Sequence, residues 1–552
     1  MGASPSATAQ AVLEERYLRR SESGSVVETF DGMAERVARH VAAAEELYRR
    51  GGEDHFAAEF AEAMRRLEFL PGPTTLRNAG TGVGMLAGSA VLPVEDSLRS
   101  IFSALSDAAL VYQAGGAVGF SLSHLRPDGD RVSSTGGLAA GPMSWLRLLD
   151  ASADIVASRG RLPGSSLAVL DASHPDIVEL VAAASSSTVQ TGAVKLMVGL
   201  PDSLLRAAQR NGLFRLVTPR TGDVVGTVRA AELLEAIYDS VLATGQPGIV
   251  FLDALNRSNP MPDLGRIEAV DPYAEIPLLP YETCNLGALN LVRFIRGRGI
   301  DWDRLRHVVA MAVRFLDDAV DVSSYPVPAM ERAAHNSRKV GLGVMGLASL
   351  SEALGVEYGS ERALQLAGRV ARHVEASARE ASAKLARERG AFLGFERSVH
   401  ADVRRPSGGR ARWPRLRNAA LTAIWPTGDV SLLAGTSPGI EAWPDPAGPF
   451  LPSAWPVRLQ AVMQRSVDAG VSTTVPLEEG ATAGDVRSIV LSAWRAKAKG
   501  ISVLPRSVSA RLGSLPGETR QAREAREAEP SLHARARAAA QPRSRRAPSR
   551  VA

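Results

Sequence analysis

Among 552 residues there is a single cysteine, Cys284. An intrachain disulfide framework is thereby excluded, as is any metal site built from several thiolates. Chemistry that needs two cysteines of the same chain is excluded as well. Long apolar runs are missing too: no stretch of about 18 uncharged apolar residues occurs, so no membrane span is expected. The first residues, MGASPSATAQAVLEERYLRR, have no apolar signal core, and a cytoplasmic location is the expectation. What remains is 45% hydrophobic with a mean hydropathy of -0.03, a composition that can bury a large core.

The net charge is +5. Much of the excess lies beyond about Arg511, in a run rich in Arg, Ala and Pro with almost no large apolar residues. Such a segment cannot build a core, so 506–552 is expected to be a disordered basic tail. Any contact with nucleic acid is confined to that tail, because the body is near neutral.

Residues 1–68 carry helix-spaced apolar positions at Ala11–Tyr17, Ala34–Tyr48 and Phe56–Leu70. Leu70-Pro71-Gly72-Pro73 breaks the pattern. Beyond it, short apolar runs alternate with amphipathic stretches. Ser166–Leu170, Val194–Val198, Gly248–Leu252, Ala419–Ile424 and Ile501–Leu504 read as buried strands. Leu98–Tyr112, Ala230–Ala243, Asp301–Val320, Glu361–Arg389 and Ala481–Gly500 read as helices, and Arg404–Arg417 as a surface loop. Alternation over 69–505 indicates an α/β fold with a sheet buried on both faces.

Three constellations can carry chemistry. Gly115-Gly116 with Ser133-Ser134-Thr135-Gly136-Gly137 offers the close backbone approach and hydroxyls that suit phosphate. A tight turn explains the glycines equally well. Pro426-Thr427-Gly428-Asp429-Val430-Ser431 follows an apolar strand and opens a helix, which suits an anion. Asp429 opposes that use by its charge, and capping the helix is its alternative role. Asp271, Tyr273 and Glu275 alternate in a Pro-bounded segment just before Cys284. In an extended chain they share one side, and neighbouring carboxylates serve as acid or base. The alternative is a surface loop with solvated carboxylates.

Taken together, these segments resemble the catalytic subunit of ribonucleotide reductases, and most closely the adenosylcobalamin-dependent class II type. The colinear motifs are Phe69-Leu-Pro-Gly-Pro-Thr-Thr-Leu-Arg-Asn-Ala-Gly80, Val91-Leu-Pro-Val-Glu-Asp-Ser97, Gly115–Arg126 and Ser133–Gly137. They continue with His174–Ile177, Gly248–Asp253, Leu279–Gly287, Arg338–Gly346, Pro426–Gly428 and Gly439–Glu441. The resemblance implies a ten-stranded α/β barrel with a central finger loop, preceded by a small helical region. It implies adenosylcobalamin as cofactor and a ribonucleoside di- or triphosphate as substrate, and it allows a homodimer. No protein metal ligands are implied. The segment before Phe69 is too short for a regulatory nucleotide-binding cone.

The same resemblance locates the departures. The family uses three barrel cysteines, one as a thiyl radical and two as a reducing pair. The radical position is Tyr273, within an Asn-x-Cys-x-Glu pattern that here reads Asp271, Tyr273 and Glu275. One member of the pair is Cys284; the other falls on Ser89. No cysteine stands in the tail to re-reduce them. Thr75, Gly116, Ser134, Asn285, Pro426, Thr427, Gly428 and Ser431 match substrate-contacting positions. Lys195 stands at a usual asparagine, Asp429 at a small hydroxyl residue, and Gly164-Ser165-Ser166 at a more basic stretch. These departures make standard reduction doubtful. They leave three readings: a nucleotide-binding homologue with impaired or redox-neutral radical chemistry, a non-catalytic paralogue acting as a partner, or a reductase borrowing cysteines from another chain.

Overall fold

A computed structural model of the chain describes residues 6–157, 166–185, 193–401, 403–404, 410–411, 414–443 and 451–506. The basic tail beyond residue 506, Gly164 and Ser165 lie outside the described residues. Ten strands form one sheet: β1 (Phe69–Pro71), β2 (Ser89–Leu92), β3 (Ala117–Ser121), β4 (Ser166–Asp171) and β5 (Val194–Leu200), then β6 (Gly248–Phe251), β7 (Thr283–Asn290), β8 (Val340–Met345), β9 (Thr474–Leu477) and β10 (Gly500–Pro505). In space they run β1-β7-β2-β3-β4-β5-β6-β10-β9, with β8 on the other edge of β7. The bridges Leu342↔Thr422 and Ile424↔Val471 carry the sheet on from β8 to the chain that leads into β9, which closes a barrel.

Strand alternation divides the core in two. Leu167, Val169, Met197 and Val250 face one cluster, while Ala168, Leu170, Leu196, Val198, Ile249 and Phe251 face a second cluster with the outer helices. Parallel strands covered on both faces read as continuous apolar runs for this reason. The segment Ala419–Ile424 does not form the expected strand. Its Ala423 N–H reaches Leu342 on β8, its Ile424 N–H reaches Gly470 on the opposite side, and the Leu421 N–H goes to the Asp468 carboxylate. With the Leu421 N–H taken by a side chain, each neighbour is met by a single bridge rather than a ladder.

The helical region before β1 holds Phe30–Ala42, capped by the Thr29 hydroxyl, and Glu53–Arg65. Phe60 and Phe69 both meet Phe315 edge-on, at 5.1 and 5.3 Å, which joins this region to the barrel helix Trp302–Val322. Buried charge joins them again: Glu45 pairs with Arg314 at 2.9 Å and with Arg389 at 2.5 Å. Arg417, at the end of the segment read as a surface loop, is buried and pairs with Asp317 at 3.1 Å. Among the described residues no helix is long and apolar enough to cross a membrane.

A two-stranded hairpin, Ala269–Val270 with Pro277–Leu278, enters the barrel. Two glycines make room for it. A Cβ on Gly119 of β3 would stand 1.9 Å from the Val270 carbonyl oxygen, and one on Gly470 would stand 2.8 Å from the Glu275 Cα. Gly470 also donates its N–H to the Glu275 carbonyl at 2.6 Å.

Candidate active site

The hairpin tip is a tight turn, not an extended strand. Ala274 sits at a φ of +63° and donates its N–H to the Asp271 carbonyl. Asp271 and Glu275 are each 1% exposed, so a solvated surface loop is ruled out. Asp271 Oδ1 accepts the N–H groups of Glu275 (3.1 Å) and Ile276 (2.9 Å), while Oδ2 accepts the Ser89 hydroxyl at 3.3 Å. Burial pushes the Asp271 carboxyl up to about 6, against these hydrogen bonds. Burial raises the Glu275 carboxyl as well, with the Asp271 charge adding to it. Glu275 Oε2 is buried with no hydrogen-bond partner. One proton held between two such carboxyls is the arrangement that like charges in a dry site impose.

Both groups bind protons more tightly folded than unfolded, so ionising them as pH rises costs stability. A Glu275→Gln variant is therefore expected to gain thermal midpoint relative to the native chain as pH rises across a range spanning about 6, to which Asp271 is pushed. Differential scanning calorimetry across that range reads the sign. A pH-independent difference would contradict the shared proton.

Ser89 of β2 and Cys284 of β7 are direct antiparallel partners. Directly opposed residues project to the same face, about 4.5–5.5 Å apart at Cβ. Cys284 is buried, and burial, helped by the Asp271 charge, lifts its thiol far above the usual range. It is therefore a poor thiolate nucleophile. Asn285 is buried with its Oδ1 unpartnered.

Tyr273 is half-buried, and Lys195 Nζ lies 4.4 Å from its ring centroid. Lys195 shares the inward face of β5 with Met197. Protein surrounds it, although its side chain keeps contact with solvent. Burial lowers its ammonium, opposed by Glu275 and Asp271. The Tyr273 phenol is pushed up to about 12 by burial and by Glu275, Asp429 and Asp271.

The remaining candidates divide. The Thr75 hydroxyl donates to the Leu86 carbonyl at 3.0 Å. Packing accounts for the glycines: Gly115, at a φ of +75°, makes space for the Arg77 guanidinium, and Gly116 for Val111. Ser134 is exposed in the turn bounded by the Arg131↔Leu138 bridge. The segment from Pro426 leads into a short helix, Gly428–Ala434, every residue of which is buried. Asp429 is not its cap. Thr427 holds that position, without a side-chain cap bond. Thr427 Oγ1 accepts the Gly439 N–H at 2.7 Å and is hydrogen-bonded to the Ser431 hydroxyl. Asp429 instead pairs with Arg16 at 3.1 Å and accepts the Tyr17 hydroxyl at 3.1 Å. Arg16 and Tyr17 come from a π-helical turn, Leu13–Tyr17, more than four hundred residues away. No local sequence signal marks them. Among the described residues no group of three or more His, Cys, Asp or Glu side chains is placed to hold a metal.

Comparison with known proteins matches this architecture twice. Residues 87–446 fit the family model "Ribonucleotide reductase, barrel domain", and residues 3–84 fit "Ribonucleotide reductase, all-alpha domain". The chain belongs to the ribonucleotide reductase large-subunit family. A vitamin B12-dependent ribonucleoside-diphosphate reductase of Mycobacterium tuberculosis is 46% identical, over 90% of this chain and 79% of that protein. One of the same name from Thermoplasma acidophilum is 35% identical, over 78% of this chain and 62% of its own. The ribonucleoside-diphosphate reductase subunit alpha of Chlamydia trachomatis is 25% identical over 70% of this chain. In this ribonucleotide reductase homologue the barrel interior thus brings together Ser89, Asp271, Tyr273, Glu275 and Cys284, with Lys195 beside them.

Proposed function

We propose that this chain is a ribonucleotide reductase homologue that keeps an enclosed cavity for a ribonucleotide-type ligand but does not carry out the dithiol-dependent reduction on its own. One observation carries the reading: the partner directly opposite Cys284 is Ser89. Replacing a ribose C2′ hydroxyl by hydrogen, with the hydroxyl leaving as water, consumes two electrons and two protons. A pair of thiols delivers both on closing to a disulfide. A thiol facing a hydroxyl cannot close that bond. Function follows the site rather than the fold, so membership of the family does not restore the reaction.

The names of the relatives bring adenosylcobalamin to this chain as its cofactor, and ribonucleoside diphosphates as its ligands. When bound, that cofactor supplies a carbon radical that, in the family, a cysteine at the hairpin tip takes up. The residue present fits this poorly. A phenol occupies the tip, with a lysine ammonium over its ring and its proton held tightly. The chain's own groups have other capacities: Glu275 holds a proton in the cavity, Asp271 fixes the hairpin turn, and Lys195 provides a cation.

A single-turnover assay tests the reading. Fully reduced protein mixed with the four ribonucleoside diphosphates and adenosylcobalamin is expected to yield no 2′-deoxynucleotide by chromatography. Product approaching one equivalent per chain would overturn it.

A further inference from the structure

Three lysines stand on or directly beside barrel strands, and two of them are committed. Lys339, before β8, is buried and pairs with Glu282 at 2.5 Å. Lys499, before β10, is buried and donates to the backbone carbonyls of Asp468 and Ala469, the latter at 2.8 Å. Lys195 differs from both. It is the one exposed residue of β5, whose other residues are all buried. Among the described residues its ammonium has neither a hydrogen bond nor an ion pair, and its contact is the face of the Tyr273 ring. A ring face attracts a cation but leaves the three N–H donors unused. Burial disfavours the ammonium, against the opposing charges of Glu275 and Asp271. Such a lysine spends more time as the neutral amine, which is its nucleophilic form.

The hairpin tip supplies the other half of the chemistry. Lys195 and Glu275 are close enough for each charge to act on the other's proton. Glu275 Oε2 is buried without a hydrogen-bond partner, and burial beside Asp271 keeps the carboxyl protonated. A free amine with a carboxylic acid beside it is the pair that condensation with a carbonyl requires. The two carboxyls also select the carbonyl compound. They disfavour an anion, and they offer hydrogen bonds to hydroxyls.

We propose that Lys195 is the catalytic residue of a second, cysteine-independent activity: its ε-amine condenses with the carbonyl of a small uncharged hydroxyaldehyde or hydroxyketone, and Glu275 supplies the proton with which the carbonyl oxygen leaves as water. The bond from Nζ to carbon forms as the C=O π bond breaks, and an amine proton passes to the oxygen to give a carbinolamine. The C–O bond then breaks, Glu275 protonates the departing hydroxyl, and the nitrogen lone pair closes the C=N bond. The products are an iminium on Lys195, the Glu275 carboxylate as its counter-ion, and one water. No oxidant, reductant or second thiol takes part. The inference does not depend on the ribonucleotide-type ligand proposed above.

Reductive trapping tests it. The full chain is incubated with glyceraldehyde and sodium cyanoborohydride, which fixes an iminium as a stable amine, and labelling of each lysine is followed by peptide mass spectrometry. Lys195 is expected to label at least about tenfold faster than Lys384 and Lys497, which are exposed on the surface. In Glu275→Gln, which keeps the shape but has no proton to give, Lys195 labelling is expected to slow by at least about tenfold while Lys384 and Lys497 are unchanged. Lys195 labelling no faster than that of the two surface lysines in the native chain would overturn the proposal, whether or not the variant folds. An undiminished Lys195 rate in a Glu275→Gln variant that is folded by circular dichroism would overturn it as well.

Discussion

Asp317→Ala is expected to cost about 3–5 kcal/mol of folding stability, because it breaks a buried ion cluster from its centre. Asp317 is fully buried and meets Arg338 at 2.7 Å and both Arg389 and Arg417 at 3.1 Å. Asn418 donates to it as well, at 3.0 Å. Burial alone would raise its carboxyl. Arg338, Arg417 and Arg389 outweigh that and hold it below the usual carboxylate value. The stability it contributes is therefore present above the unfolded carboxylate range and is lost as pH falls through the folded value. Arg389 carries the cluster on to Glu45, so the same charges fasten the helical region to the barrel. Urea unfolding at neutral pH measures the loss. Arg39→Ala removes an exposed pair with Glu35 and serves as the comparison, with a loss under about 1 kcal/mol. Equal losses in the two variants would show that the cluster is not a structural centre.

The second large effect is covalent. In a Ser89→Cys variant, mild oxidation is expected to join the introduced thiol to Cys284. The two positions are direct cross-strand partners, and such pairs lie within the Cα range that a disulfide spans after a small adjustment. Titration of thiols in denaturant is expected to fall from two per chain to none, while the native protein keeps its one. Two titratable thiols after oxidation would mean that the strands are not in this register.

Both predictions turn on features that differ in how legible they are in the sequence. The helix Glu361–Arg389 is readable to the residue, because Ser360 caps it and its buried positions recur at helical spacing. The strands Ser166–Asp171 and Gly248–Phe251 are readable as apolar runs, since both faces are covered. Ala419–Ile424 misleads for the same reason: its apolar run is buried, but the Asp468 carboxylate takes the Leu421 N–H and only single bridges form on either side. The ten-stranded barrel comes from colinear motifs, which no periodicity could supply. The pairing of Ser89 with Cys284 needs the family frame, because nearly two hundred residues separate them. The ion cluster is invisible: Glu45, Asp317, Arg338, Arg389 and Arg417 are scattered, and the last reads as the end of a surface loop. Arg16 and Tyr17 are hidden in the same way, as ordinary residues of an amphipathic helix until the fold sets them on Asp429.

The central claim is that the reaction is lost at two positions while the barrel around them is kept. The measurement that tests it most directly compares 2′-deoxynucleotide formation by the native chain with that by a Tyr273→Cys, Ser89→Cys double variant, each with adenosylcobalamin and a dithiol reductant. The account predicts no product from the native chain and measurable product from the double variant. Product from the native chain at a rate equal to or above that of the variant would contradict it.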